Sequence, residues 1–297
     1  MPAGSTRSAL ALACLLALGL WPARTPAWID QGHEVIAVLA ERRLGPAGRA
    51  LVRELLGEGH LSDREVALWA DDHRDRTNAF WHWVDIPFAA GRYDAARDCP
   101  GGRCAVARIE WAAEVLRRED DPARRLEALR WLVHAVSDLH QPLHAAEGWR
   151  DGNLGGVRLP AHVGRRSYTA SLHVLWDAEV LWPVFADRPV AAVAAALDAG
   201  ITEAQRVAWA AERSPGEWAG ASNRLARAIY RELSVTPRQT APIEVPEAWV
   251  EAQRERVVTA LGQAAVRLAA LLDRIAAERS ASWGPSAVDR ARGGGAR

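Results

Sequence analysis

The chain has 297 residues, 49% of them hydrophobic and 25% charged, and its 37 basic and 37 acidic side chains cancel. That balance fits a soluble globular protein of one large domain or two small ones. Near-neutrality excludes any argument for nucleic-acid binding from a broad basic surface, so such a function has to be carried by a site.

Residues 1–27 read as an export leader. Arg7 gives a short positive start, and Ala9 to Leu20 is an apolar run of 12 residues, too short to cross a bilayer. Thr25 and Ala27 supply the small residues that precede a cut, which predicts cleavage between Ala27 and Trp28 and a secreted or periplasmic product. The leader takes away two Arg and no acid, which leaves the mature chain at −2. Trp28 to Gly32 is expected to be extended ahead of a first helix. Ser62-Asp63-Arg64-Glu65 has capping-box spacing and predicts a helix to about Arg74. Asn78 to Pro87 is expected to be non-helical. Pro100-Gly101-Gly102-Arg103 separates Cys99 from Cys104, and such turn-forming residues allow a small disulfide, with two free thiols as the alternative.

Further along, Asp121-Pro122 sets a cap and an N1 proline before a helix reaching about His140, with Pro142 just beyond. Glu147 to Tyr168 reads as a long Gly-rich loop. Ser171 is a candidate cap for a helix through Trp182, and Asp187 and Ser214 for two more. Pro246 starts the longest helical segment, to about Arg279, with Trp249, Val257, Leu261, Val266, Leu268 and Leu271 as its apolar face. Residues 281–297 read as a disordered tail. Strand-like alternation is nearly absent, so the expectation is an all-α fold with a single compact multi-helix domain over residues 28–280.

Histidines and aspartates fall into a pattern across these elements. His134 and Asp138 stand four apart, as do His173 and Asp177. Residues at i and i+4 share one face of a helix, so each pair offers an imidazole nitrogen and a carboxylate oxygen to one ion. One such pair alone is more often a solvated pair or a core hydrogen bond. Two pairs, with His144 ten residues after His134 and with His33, Asp71 and His82 upstream, shift the balance toward metal.

The stretches Trp28–His33, Trp69–Arg74, Trp81-His82-Trp83-Val84-Asp85, His134–His144 and Leu172–Asp177 together resemble the single-strand-specific zinc nucleases of the S1/P1 type. These belong with the zinc phospholipases C in one all-α superfamily. The resemblance runs from Trp28 to the final helix and implies three zinc ions per chain. Asp71, His82, His134 and Asp138 would hold the first. Asp138, His33 and Trp28 would hold the second, with Asp138 bridging the pair and Trp28 binding through its free α-amino nitrogen and its carbonyl oxygen. His144, His173 and Asp177 would hold the third. Arg74 matches an arginine set against the scissile phosphate. Trp83 and Asp85 match a base-stacking aromatic and a base-reading carboxylate, Asn153 is the candidate base contact in the Gly-rich loop, and Cys99 and Cys104 match a family disulfide.

The implied activity is hydrolysis of single-stranded DNA and RNA, and also of 3′-nucleotides, to 5′-phosphate products. No stable membrane association is expected, and the implied state is a monomer. The sequence departs from the family pattern at Ile29, where a Gly is usual, and at Asn153, which precedes Gly155-Gly156 instead of following a Gly pair. A zinc phospholipase C of the same fold is the alternative. Against it stand the short gap from Trp28 to His33 and Asp177, where those enzymes use Glu.

Overall fold

Asp121 caps the helix that carries the first His–Asp pair. Its side chain accepts from the Ala123 amide at 3.0 Å, Pro122 occupies the first helical position, and the helix runs over Pro122–Leu139. From Ala128 to Leu139 nearly every residue is buried, His134 and Asp138 included, so the metal-type pair points inward and is not a solvated surface pair. The computed structural model describes residues 28–147, 158–163, 166–235 and 245–282.

In chain order the α-helices are α1 (Asp30–Arg43), α2 (Pro46–Leu56), α3 (Arg64–Ala67), α4 (Trp69–Asp72), α5 (Ala95–Asp98), α6 (Ala105–Arg118) and α7 (Pro122–Leu139). They continue as α8 (Leu172–Asp177), α9 (Trp182–Phe185), α10 (Val190–Gly200), α11 (Glu203–Ala211), α12 (Pro215–Glu232), α13 (Glu247–Ala252) and α14 (Arg254–Ser282). The core forms where α14 packs against α1, α2, α6, α7, α10 and α11, while α6 lies along α7 and α10 covers α1. Val257, Leu261, Leu268, Leu272 and Ile275 on α14 are fully buried. Trp249, expected on the same apolar face, is only partly buried and lies on α13.

Several boundaries differ from expectation. The helix expected from Ser62 to Arg74 is two short ones broken at Leu68. Asp63 is its N-cap residue but makes no capping-box bond, because its carboxylate accepts from the His60 amide instead. Asp187 does not open α10. It has φ 61°, and Pro189 stands at the cap position. Ser171 does cap a helix, at the Val174 amide, but that helix ends at Asp177 and gives way to a 3₁₀ turn at Glu179–Leu181 before α9. The segment from Pro246 breaks at Gln253. Residues 79–82, expected to be non-helical, make one 3₁₀ turn before the chain extends.

The C-terminal part of the expected Gly-rich loop is an antiparallel hairpin, β1 (Arg158–Val163) with β2 (Arg166–Ser171), in register from Arg158 opposite Ser171 to Val163 opposite Arg166. It is the one sheet among the described residues. Pro160 obscured β1 in the sequence, but both strands of a two-stranded ribbon are edges, where proline is tolerated. The leader, Asn153 and residues 283–297 lie outside the described residues. No single described helix is long and apolar enough to cross a membrane.

Candidate metal centre

Six short stretches of backbone deliver the expected ligand side chains to one buried locus. His33 comes from the first turn of α1, Asp71 from α4, His82 from the end of the 3₁₀ turn, and His134 and Asp138 from α7. His144 comes from a second 3₁₀ turn at Pro142–Ala145, and His173 and Asp177 come from α8. His33, His82, His134, Asp138, His144, His173 and Asp177 are all at most 2% exposed.

Their ligand atoms form three groups, each within 4.8 Å: His33, His134 and Asp138; Asp71, His82 and His134; and His144, His173 and Asp177. In the first two, His82 Nδ1 lies 3.0 Å from Asp138 Oδ2, and His134 Nε2 lies 3.2 Å from the same oxygen. Each of those nitrogens is 3.6 Å from Asp71 Oδ1, and His33 Nε2 is 3.5 Å from Asp138 Oδ1. The rings of His33 and His134 stack at 4.3 Å. In the third group His144 Nε2 and His173 Nε2 stand 3.0 Å apart, and His173 Nε2 is 3.3 Å from Asp177 Oδ2.

Proton positions follow from the partners. His134 Nδ1 faces the Ala67 carbonyl at 3.0 Å and His144 Nδ1 faces the His82 carbonyl at 2.7 Å. A carbonyl only accepts, so both rings carry their proton on Nδ1 and turn the Nε2 lone pair into the centre. His144 Nε2 thus aims a lone pair at a second ring nitrogen, and His134 Nε2 aims one at a carboxylate oxygen. Asp138 Oδ1 and Asp71 Oδ2 are buried and accept no hydrogen bond. Buried acceptors converging without donors are costly, about 1–3 kcal/mol per unsatisfied group, unless a cation sits among them.

Spacing adds a test. Nitrogen and oxygen ligands around a tetrahedral zinc, about 2.0–2.1 Å from the ion, lie about 3.3 Å from one another. The separations here, 3.0 to 3.6 Å, bracket that value. The chain therefore fits a divalent ion of zinc type at each group.

The electrostatics agree. Burial opposes a charge on His134, but the Asp138 and Asp71 carboxylates outweigh it and push its pKa up to about 9. Burial pushes Asp138 up to about 6 against the pull of His134. Burial and the neighbouring histidines hold His82 and His144 well below the ordinary range, so both offer free lone pairs at neutral pH. Without an ion the two carboxylates thus favour a second proton on His134, at the Nε2 that faces them, and a bound divalent cation would take that proton's place; His82 and His144 need lose none.

Trp28 packs at the mouth of α1 with no solvent exposure, and its indole N–H donates to the Ser137 carbonyl at 3.2 Å. The Ile29 amide donates to the Asp177 carbonyl at 2.9 Å. Gly32 makes this close approach possible, because a Cβ there would meet the Trp28 Cβ at 2.6 Å.

Arg74 lies over the Trp83 ring at 5.3 Å, and its charge is felt by Asp71, His82, Asp138 and His144. Asp85 is exposed as a residue, yet its carboxyl is crowded. That crowding, with Glu147 and Asp98 nearby, pushes it up to about 6 against a hydrogen bond from the Trp83 side chain. Cys99 and Cys104 form a disulfide. His140, between Asp138 and His144 in the chain, is buried between the Val136 carbonyl and Arg267, and burial with Arg267 presses it down to about 3.

Two contributors escaped the sequence reading. Gln141 donates from Nε2 to Asp177 Oδ1 at 2.7 Å, while its Oε1 accepts from the Leu143 amide, so it aims a carboxylate and shapes the turn holding His144. Its position between Asp138 and His144 was the available signal. Arg108 lies over the rings of Trp81, Trp111 and Trp131 at 3.9, 3.6 and 4.5 Å, and Trp131 meets His82 edge-on at 5.4 Å. Nothing in its local sequence marks that role.

A family model described as S1/P1 Nuclease matches residues 28–277. Nuclease S1 of Aspergillus oryzae (strain ATCC 42149 / RIB 40) is 28% identical over 162 residues, which cover 52% of this chain and 54% of that protein. Endonuclease 2 of Arabidopsis thaliana is 30% identical over 190 residues, 58% of this chain and 62% of that protein. Nuclease P1 of Penicillium citrinum is 29% identical over 162 residues, 50% and 57%. The matched stretch thus spans between half and two thirds of each relative's length.

Proposed function

Since the chain belongs to the S1/P1 nuclease family, we propose that it is an exported zinc-dependent nuclease that hydrolyses single-stranded DNA and RNA, and 3′-nucleotides, to 5′-phosphate products. The observation that carries this reading is the convergence of buried nitrogen and oxygen lone pairs in three groups, with both oxygens of Asp138 turned to histidines. Asp71, His82, His134 and Asp138 hold one zinc. Trp28, His33 and Asp138 hold a second, and His144, His173 and Asp177 hold a third. Bound zinc supplies Lewis acidity and an activated water at neutral pH.

The chain's own groups do the rest. Arg74 donates two parallel hydrogen bonds to the phosphate as negative charge develops on it. Trp83 stacks on an unpaired base, and Asp85, when ionised, accepts hydrogen bonds from that base's edge. Gln141 keeps Asp177 turned toward His173. Cys99–Cys104 accords with an oxidising compartment outside the cytoplasm. The protein acts as a monomer.

Elemental analysis of protein beginning at Trp28 is expected to give three zinc per chain. A reproducible value near one overturns the trinuclear assignment. Bases within a duplex are not available for stacking on Trp83, so denatured DNA is expected to be cut much faster than duplex of the same sequence at matched salt. Equal rates contradict the single-strand reading.

A further inference from the structure

Beyond Trp83, the surface continues in a pattern that the proposed chemistry leaves unused. Phe80 sits three residues before Trp83, with ring centroids 6.0 Å apart and planes tilted by 53°. The Arg103 guanidinium lies over the Phe80 ring at 3.8 Å, as Arg74 lies over Trp83 at 5.3 Å. Arg103 is exposed, and no carboxylate pairs with it among the described residues. Two neighbouring rings thus each carry a guanidinium, one beside the metal groups and one farther out.

The outer pair is held in place by its backbone. Arg103 lies in the short loop closed by Cys99–Cys104, after Gly101 and Gly102 with φ 66° and 72°. The Ala105 amide, just beyond that loop, donates to the Trp83 carbonyl at 2.9 Å. The disulfide loop is therefore tied directly to the residue expected to stack the base, which fixes the backbone of Arg103 while its guanidinium rests on the Phe80 ring.

We propose that Phe80 and Arg103 form a second binding position for a single-stranded polynucleotide, engaging the nucleotide next to the one held by Trp83. This rests on the nuclease reading above and extends it from a mononucleotide to a strand. Rings and guanidinium planes both stack bases without regard to sequence, and the exposed cation meets a flanking phosphate. The position favours oligonucleotides over a 3′-mononucleotide and adds no base preference.

The test compares zinc-loaded wild type with Arg103→Ala and Phe80→Leu, using a thymidylate series from dinucleotide to octanucleotide. A cleavage-resistant phosphorothioate octathymidylate serves as the binding probe. For the octanucleotide, KM and the probe's Kd are expected to rise about fivefold or more in each variant; the rise in KM should persist down to the dinucleotide, which already fills both positions, and vanish for 3′-thymidylate. For Arg103→Ala the slope of log Kd against log salt should fall by about 0.7, one phosphate contact on a single strand. Loss of packing alone would not change that slope. Octanucleotide KM and Kd unchanged in both variants overturn the second position, whether or not cleavage is normal. Weakened probe binding by the variants of a wild type that cuts no substrate would keep the position and overturn the nuclease reading.

Discussion

Both carboxylate oxygens of Asp138 face histidine nitrogens, Oδ1 toward His33 and Oδ2 toward His82 and His134. Asp138→Asn removes the charge that faces His33 on one side and His82 and His134 on the other, and turns a donor toward lone pairs. The variant is expected to lose at least one zinc and nearly all hydrolysis, as read by elemental analysis beside a single-strand assay. Arg74 acts on the phosphate instead, so Arg74→Ala is expected to keep its zinc and lose about 100-fold or more in turnover. Turnover unchanged in that variant would remove Arg74 from the site. Gln141→Leu frees Asp177 Oδ1 and deprives the Leu143 amide of its acceptor, while leaving every ligand in place. Loss of such an outer contact weakens a metal site by about 10–100-fold, so one zinc should dissociate at chelator concentrations that spare the other two. Dissociation of all three together would place Gln141 outside the third group.

The elements differ in how openly the sequence declares them. α7 and α12 carry their own signals, a capping side chain and an N1 proline, and the structure places both starts there. The metal groups were legible for a related reason, since i, i+4 spacing puts a His and an Asp on one helical face whatever surrounds them. Breaks at Leu68, Ala178 and Gln253 were not legible, because tertiary packing interrupts helices that local propensity would continue. Gln141 and Arg108 were hidden for the same reason, since Asp177 lies 36 residues from Gln141, and Trp81 and Trp131 reach Arg108 from other elements although Trp111 is close in sequence. Arg108 on α6 joins three indoles, two of them beside His82 in chain or in space, and burial pushes its guanidinium down to about 10. Arg108→Ala removes three stacked contacts worth about 0.5–2 kcal/mol each and leaves a void under the 3₁₀ turn. A fall of about 2–4 kcal/mol in unfolding free energy is expected, with weaker zinc retention at the group containing His82. A denaturant midpoint that does not move would show that the aromatic box is not a support.

Across the whole molecule, the metal groups draw on the chain from His33 to Asp177, and Trp28 is buried against α7 through its bond to the Ser137 carbonyl. If Trp28 binds zinc through its α-amino nitrogen, retained residues ahead of it convert that nitrogen to an amide whose lone pair is delocalised. Protein carrying an N-terminal extension is therefore expected to hold fewer zinc ions and to be nearly inactive, whereas a tag after Arg297 is expected to be tolerated. Full activity with the extension in place would exclude Trp28 as a ligand. The packing of α14 has a consequence of its own for the order of events in the cell. This helix supplies the apolar face on which α1, α2, α6 and α7 close, yet it lies C-terminal to every candidate ligand. During synthesis all of the candidate ligands are therefore made before the helix that completes the core. If the chain is exported as proposed, its core can close only after α14 has followed the ligand-bearing segments, an order that fits translocation before folding.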